Sequence, residues 1–375
     1  MFGKYYTVLS QVPNIPNDYL KKVEEVCEKF RFKAHEHYLG LINWDDPNDP
    51  IKRIIIPQEH ELTEWGRYDA SNEKKYTVLT GLQHKYKSTV VMLLSRECAG
   101  YCRFCFRKRL FILPTEDTLK DLDEAIKYIE KHKEITNVLI TGGDGLMLPT
   151  SKLKDVVSRL RQIDHVHIIR IGSKMLAYNP NRILEDPQLL TMIKEYSLPH
   201  KRMYIMTHFN HPNELSEKSL KAASLLIKAG AILANQTPML KGVNDNEDTL
   251  AELFRKLSFT GITPYYVFIC RPTIGNKGYA VPVERALEIF QKAQIKCSGL
   301  AKRARLVMSH ESGKIEVVSQ SNEEIYFRYH RSAEEVQSGD FLVFKKNPNA
   351  YWFDDYEEVV KHYSYNEPYR CYGPE

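Results

Sequence analysis

The stretch TVVMLLSRECAGYCRFCFRKR (residues 89–109) joins a run of β-branched and aliphatic residues to a loop with three cysteines, followed by a run of cations. The first part has the composition of a short buried strand. Cys98, Cys102 and Cys105 then form a C-x3-C-x2-C motif on the loop that leaves the strand's C-terminal end, where βα folds place their chemistry. A [4Fe–4S] cluster is normally held by four cysteine thiolates, so three in one tight loop leave one iron open to another ligand. A zinc site would need a fourth ligand, with His84 or Cys270 as candidates, and the spacing fits zinc ribbons poorly. A disulfide plus a free thiol does not suit a reducing compartment, and three structural cysteines would not need this spacing.

Working outward, residues 89–309 alternate short strand-like runs with amphipathic helical patterns. The strand candidates are 89–95, 138–141, 167–172, 202–209, 231–236 and 265–270. Helical patterns fall at 118–132, at 216–230 (opening on Ser216 and stopping at Gly230) and at 282–294 after Pro282. Repeated strand–helix units imply right-handed crossovers and a parallel sheet. Six units are too few for an eight-fold barrel, so the expected fold is α/β with a partial barrel or open sheet. Residues 1–88 carry one clear helix, at about 18–33, and a Pro- and Asp-rich connection; they are expected to wrap the barrel as a helical extension. Residues 89–314 form the barrel. Residues 315–375 form a C-terminal extension with strand-like IEVVSQ and FLVFKK and a late helix near 354–363.

The 375-residue chain can bury a full core, and a net charge of +5 is mild for that length. It permits an acidic small-molecule ligand without the concentrated basic face of a nucleic-acid binder. No stretch approaches the roughly 20 apolar residues of a membrane span, and the first residues lack the apolar centre of a signal peptide, so the expected location is cytoplasmic. The seven cysteines are unevenly spread, which favours metal or redox chemistry over a disulfide framework.

The cysteine motif, with Tyr101 before its second cysteine, resembles the signature of the radical S-adenosylmethionine (SAM) superfamily. The stretches YCRFCFRKR, LITGGD (139–144), RIGSK (170–174), THFNHP (207–212), ANQTPMLKGVND (234–245) and TPYYVFIC (263–270) are similar in order and spacing to the lysine 2,3-aminomutase family. The resemblance covers about residues 45–318. It implies a partial (β/α)6 radical SAM barrel, a [4Fe–4S] cluster whose open iron binds SAM, and pyridoxal 5′-phosphate (PLP) held as a Schiff base on a lysine. Gly142, Gly143 and Asp144 match the motif that holds the SAM amino group, although Asp144 also reads as a helix N-cap. Arg170, Ser173, His208 and Gln236 stand at strand ends that would converge on a cofactor pocket, the last two near SAM. Lys314, in SGLAKRARLVMSHESGK (298–314), falls at the PLP lysine, in a stretch shorter and poorer in glycine than the family's. Lys85 and Tyr86 stand where the family has an Arg-Tyr pair on the PLP phosphate. A lysine there keeps the charge and loses the bidentate fork.

For the substrate, Arg107 coincides with the family's α-carboxylate arginine, and bidentate geometry explains the residue type. Arg103 and Arg109 are expected as surface or supporting cations. Of the two aspartates that recognise lysine's distal ammonium, the first position is Arg271 and the second falls at Met308 or Ser309. An arginine in place of an aspartate would repel an ammonium and attract a carboxylate, so lysine is disfavoured and a glutamate-type substrate fits better. Arg271 could also be a structural cation at a strand end. The implied activity is a radical SAM, PLP-dependent 2,3-aminomutase that abstracts a β-hydrogen and moves nitrogen from Cα to Cβ. An electron donor such as flavodoxin or ferredoxin would serve it, with no nucleic-acid or membrane partner and with homo-oligomerisation open. Two alternatives stand beside it: a divergent radical SAM enzyme without PLP, and a zinc-stabilised binding module. Cys297 and Cys371 could hold structural zinc as in relatives, but the family's C-terminal cysteine cluster is missing.

Overall fold

Alternation along each central strand sets the architecture. In the computed structural model, which describes residues 3–364, Val90 and Met92 pack outward into the core while Thr89 and Val91 face an inner cavity. The same two-residue period puts Val138 and Ile140 outward with Leu139 and Thr141 inward, then Ile169 and Ile171 outward with Arg170 and Gly172 inward. The sheet built this way has thirteen strands in chain order. They are β1 (Thr77–Leu79), β2 (Leu82–Tyr86), β3 (Thr89–Ser95), β4 (Asn137–Gly142), β5 (Ile168–Ser173), β6 (Met203–Thr207), β7 (Ile232–Pro238), β8 (Thr263–Phe268), β9 (Arg305–Ser309), β10 (Gly313–Gln320), β11 (Glu324–Ser332), β12 (Phe341–Lys345) and β13 (Val359–Tyr363). Strands β3 to β9 are parallel, and the flanks β1–β3 and β9–β13 are antiparallel.

Six crossovers carry the helices α1 (Leu122–Lys131), α2 (Thr150–Arg161), α3 (Pro187–Tyr196), α4 (Glu217–Lys228), α5 (Glu247–Phe259) and α6 (Val283–Ile295). Asp121, Asp186, Ser216 and Asn246 cap α1, α3, α4 and α5 by accepting from backbone N–H groups of the first turn. Gly230, at φ +97°, takes the left-handed turn that follows α4. The partial βα barrel is therefore present, with a seventh parallel strand, β9, closing the sixth crossover.

The helix expected at 18–33 is instead two short ones, Asn17–Lys22 and Glu24–Lys29, broken at Val23, whose backbone leaves the helical region. Val26, Phe30, Tyr38, Ile51, Ile54, Ile55 and Ile56 join the same core as the barrel. The sheet runs without a break across residues 88 and 314. The late helix is corrected: 353–355 is one 3-10 turn and Val359–Tyr363 is an edge strand paired to β12. A second core, with Phe327, Phe344 and Trp352, sits between the antiparallel flank and α5–α6. The two flanks curl towards one another. Arg331 on β11 donates to the hydroxyls of Ser88 and Thr89, Lys85 on β2 donates to the His310 carbonyl, and Lys87 pairs with Glu335 at 2.8 Å.

Candidate active site

The curl encloses one cavity of about 370 Å³, lined from every parallel strand and from both flanks. Cys98, Cys102 and Cys105 all face it. Their loop is held by the N-terminal segment. The Tyr101 N–H donates to the Lys33 carbonyl (2.9 Å) and the Arg103 N–H to the Ile54 carbonyl (3.0 Å). The Arg103 guanidinium, buried, grips the fully buried Glu61 carboxylate at 2.8 Å. Lys108, also buried, donates to the Arg103 carbonyl at 2.9 Å, and Asn276 donates to the Phe104 carbonyl at 2.8 Å. Tyr101 stacks on Phe111, ring centres 4.0 Å apart. Arg103 and Arg109 are thus buried ion-pair partners, Arg109 with Glu73, Asp69 and Asp117; of the two expected places, surface or supporting, they take the supporting one. With these charges inside, RFCFRKR presents no basic face.

Among the described residues, no three His, Cys, Asp or Glu side chains converge on one ion. A mononuclear zinc site needs that convergence, whereas a four-iron cluster binds each thiolate to a separate iron. His84 is engaged elsewhere, with the Tyr128 hydroxyl and the Lys87 carbonyl. Burial pushes the three thiols up, Cys102 to about 12, so they hold protons that iron must displace. The Cys102 Sγ lies 2.8 Å from the Tyr178 hydroxyl.

Gly142 ends β4 and Gly143 follows it, both against the segment leading to Cys98. A Cβ on Gly142 would come within 2.3 Å of the Ser95 carbonyl oxygen, and one on Gly143 within 2.3 Å of that of Glu97. The glycines therefore permit close approach of chain to chain. Asp144 caps the following turn, accepting from Leu146 N–H at 2.9 Å, and also accepts from Lys174 N–H at 2.7 Å. Ser173, His208 and Gln236 line the same end of the cavity. Burial, and then the Lys174 ammonium, holds the His208 ring well below the ordinary histidine value, so it is neutral. Arg170 lies elsewhere. It is the third residue of β5, and its Nε donates to Asn137 at the start of β4 (2.9 Å), away from the strand's C-terminal end.

Lys314, on β10, lies over the rings of Tyr266 (4.5 Å) and Phe268 (4.9 Å). Burial first, then the cations Arg271, Arg170, Arg331 and Lys85, drive its amine well below the usual lysine value. Lys85 is likewise lowered, to about 7, by burial and then Arg271. Tyr86 faces the cavity with its hydroxyl buried and unpartnered. Such a group, beside a neutral amine and several cations, fits a phosphorylated carbonyl compound such as PLP.

Arg107 pairs with Glu73 at 2.6 Å, through Nη2 and Nε, which leaves Nη1 without a partner among the described residues. The Phe106 ring is flanked by two guanidinium groups, Arg271 at 3.8 Å and Arg107 at 4.8 Å. Arg271 also donates to Ser71 at 2.5 Å, and burial lowers it to about 10. Ser309 faces the cavity while Met308 is buried in the second core, which decides between the two. Cys297 is buried there too, its thiol 3.6 Å from the Ala251 carbonyl; Cys371 lies outside the described residues. Glu73 and Arg331 were missed in the sequence, since each lies in a polar run (NEKKY, YHRS) with no motif to mark it.

No helix among the described residues is long and apolar enough to cross a membrane. Residues 92–254 match the family model described as the Radical SAM superfamily. An Aquifex aeolicus protein named "Putative L-lysine 2,3-aminomutase" is 50% identical over 361 residues, covering 96% of each chain. The L-lysine 2,3-aminomutase of Clostridium subterminale is 36% identical over 281 residues, 74% of this chain and 66% of that one. The glutamate 2,3-aminomutase of Clostridioides difficile is 32% identical over 309 residues, 81% of this chain and 71% of that one. Radical SAM enzymes use a [4Fe–4S] cluster and SAM, and lysine 2,3-aminomutases use PLP besides. With half its residues shared across nearly its whole length, this chain belongs to the lysine 2,3-aminomutase family of radical SAM enzymes, which are isomerases acting on small molecules.

Proposed function

We propose that the chain is a PLP-dependent 2,3-aminomutase for an α-amino acid other than lysine, with an acidic side chain preferred. The observation that carries the PLP assignment is Lys314, a buried amine among four cations. An amine kept neutral is a nucleophile towards an aldehyde, and the surrounding cations suit a phosphate. When bound, the cluster and SAM supply a 5′-deoxyadenosyl radical, and PLP supplies the ring through which nitrogen migrates from Cα to Cβ.

The chain's own residues bind and orient. Cys98, Cys102 and Cys105 ligate three irons. Asp144, Ser173, His208 and Gln236, with the backbone at Gly142 and Gly143, form the SAM end. Arg107, steadied by Glu73 along its Nε edge, offers Nη1 to the substrate α-carboxylate. Arg271, held by Ser71 and Phe106, faces the substrate's far end, where a carboxylate gains and an ammonium is repelled. Ser309, at the second recognition position, supplies no counter-charge for an ammonium. A one-electron donor of the flavodoxin or ferredoxin class would be needed to reduce the cluster.

The test is anaerobic reconstitution with iron, sulfide, SAM and PLP, followed by a screen of amino acids for β-isomers. Glutamate or another acidic amino acid is expected to isomerise. Faster conversion of lysine than of any acidic amino acid overturns the substrate assignment. A Lys314→Ala variant as active as the parent overturns the PLP assignment.

A further inference from the structure

Lys314 and Arg331 are direct partners in the antiparallel ladder of β10 and β11. Both side chains face the cavity, and the Arg331 guanidinium is one of the cations that keep the Lys314 amine neutral. The pairing is built deliberately. Ile315 opposes Tyr329, so regular pairing would put His330 opposite Lys314, but a bulge there brings Arg331 into register instead. Bulges beside active sites re-aim side chains in this way. Gly313 makes the close approach possible, since a Cβ on it would meet the Arg331 carbonyl oxygen at 2.3 Å.

The Arg331 guanidinium lies 4.2 Å from the centre of the Tyr86 ring and, among the described residues, donates to neutral hydroxyls, Thr89 at 3.3 Å and Ser88 at 3.2 Å. The Tyr86 hydroxyl is unpartnered, the Lys85 amine lies 5.5 Å from the same ring's centre, and Arg170 on β5 feels the Arg331 charge. These groups gather at the β2–β3 hairpin, whereas Arg107 and Arg271 gather with Glu73 beside the cysteine loop. Arg271, whose charge also acts on Lys314 and Lys85, links the two groups, and Arg331 adjoins Lys314 through the ladder.

We infer that Arg331, from the C-terminal hairpin, is the principal phosphate ligand of the PLP site and supplies the guanidinium fork that Lys85 lacks. The inference rests on the PLP reading above. PLP carries its aldehyde and its phosphate arm on adjacent ring carbons, so the lysine and the phosphate ligand must be near neighbours. Cross-strand partners, with Cβ atoms roughly 5 Å apart, meet that requirement. A phosphate dianion near Arg331, Lys85, Tyr86 and Arg170 would satisfy the orphaned hydroxyl and offset the gathered cations together.

The experiment compares PLP with pyridoxal, which lacks the phosphate, in binding to cluster-loaded protein, read as borohydride-trapped adduct on Lys314 against ligand concentration. The parent is expected to prefer PLP strongly. Arg331→Gln is expected to weaken PLP binding about 10- to 100-fold, the loss of a charge-assisted contact, and to leave pyridoxal binding unchanged. Arg331→Lys should recover part of the loss. Arg328→Gln, on the same strand as Arg331 but paired with Glu316 of β10, should match the parent. Iron content checks that each variant is folded; should Arg331→Gln not hold iron, Arg331→Lys carries the comparison with an intermediate loss expected. Equal preference for PLP over pyridoxal in the parent and the Arg331 variants overturns the inference and leaves the PLP reading intact. Absence of any Lys314 adduct in the parent overturns the PLP reading, and this inference with it.

Discussion

Cys102 and Tyr178 show what a single contact can do to a cluster. With iron bound the sulfur is a thiolate, so the Tyr178 hydroxyl, 2.8 Å away, donates to it. A hydrogen bond to a ligating sulfur favours the more negative, reduced state. Tyr178→Phe is expected to lower the cluster's reduction potential by on the order of tens of millivolts while iron content stays near that of the parent, as measured by EPR-monitored titration. Nothing around Tyr178 in the sequence announces this. The sequence marked the cysteines by a spacing that is a coordination pattern and Lys314 by alignment, and all four face the cavity. Tyr178, Glu73 and Arg331 reach the site through placement that only the folded chain creates. Arg170 shows the converse. Its neighbours RIGSK suggested the end of a strand, but the alternation that turns its side chain inward also sets it three residues from that end.

At the scale of elements, the cysteine loop depends on residues far away in the chain. Glu61 and Arg103 are both buried, so removing one partner strands the other's charge. Glu61→Ala is expected to destabilise the protein by about 3–5 kcal/mol in denaturant unfolding and to reduce the iron retained after reconstitution. Gly313→Ala forces β10 and β11 apart at the bulge; its expected signature is a lowered unfolding midpoint and weakened PLP binding, with iron retained. The central strands were readable as β-branched runs buried on both faces. Strand β11, EIYFRYHRS, was not, because its inward residues include the charges that face the cavity and so break the apolar pattern. The segment 359–363 lies on the sheet's edge and is exposed at every position, which leaves its sequence free of any packing signal.

The molecule as a whole keeps an excess of cations around its cavity, and this makes its stability depend on pH. Lys85 gives up its proton near pH 7 in the folded chain, against an ordinary value of 10.5. Folding thus disfavours its charged form. The penalty is fully present below about pH 7 and fades as pH rises towards 10.5. The unfolding midpoint of PLP-free protein is expected to climb over that window. The climb should be smaller in Lys85→Met, and smaller again with PLP bound, because an anion restores the amine's affinity for its proton. A midpoint that does not respond to either change would contradict this account.

The two flanks of the sheet meet through side chains: Arg331 with Ser88 and Thr89, Lys85 with the His310 carbonyl, Lys87 with Glu335. Parting two paired strands breaks a whole ladder at once, but parting this seam breaks a few separate bonds, each worth about 1 kcal/mol. Breathing of the cavity is therefore concentrated in one wall, and that wall carries both Lys314 and Arg331. The barrel can flex where Lys314 sits, while the cysteine loop is pinned by buried ion pairs on the other side.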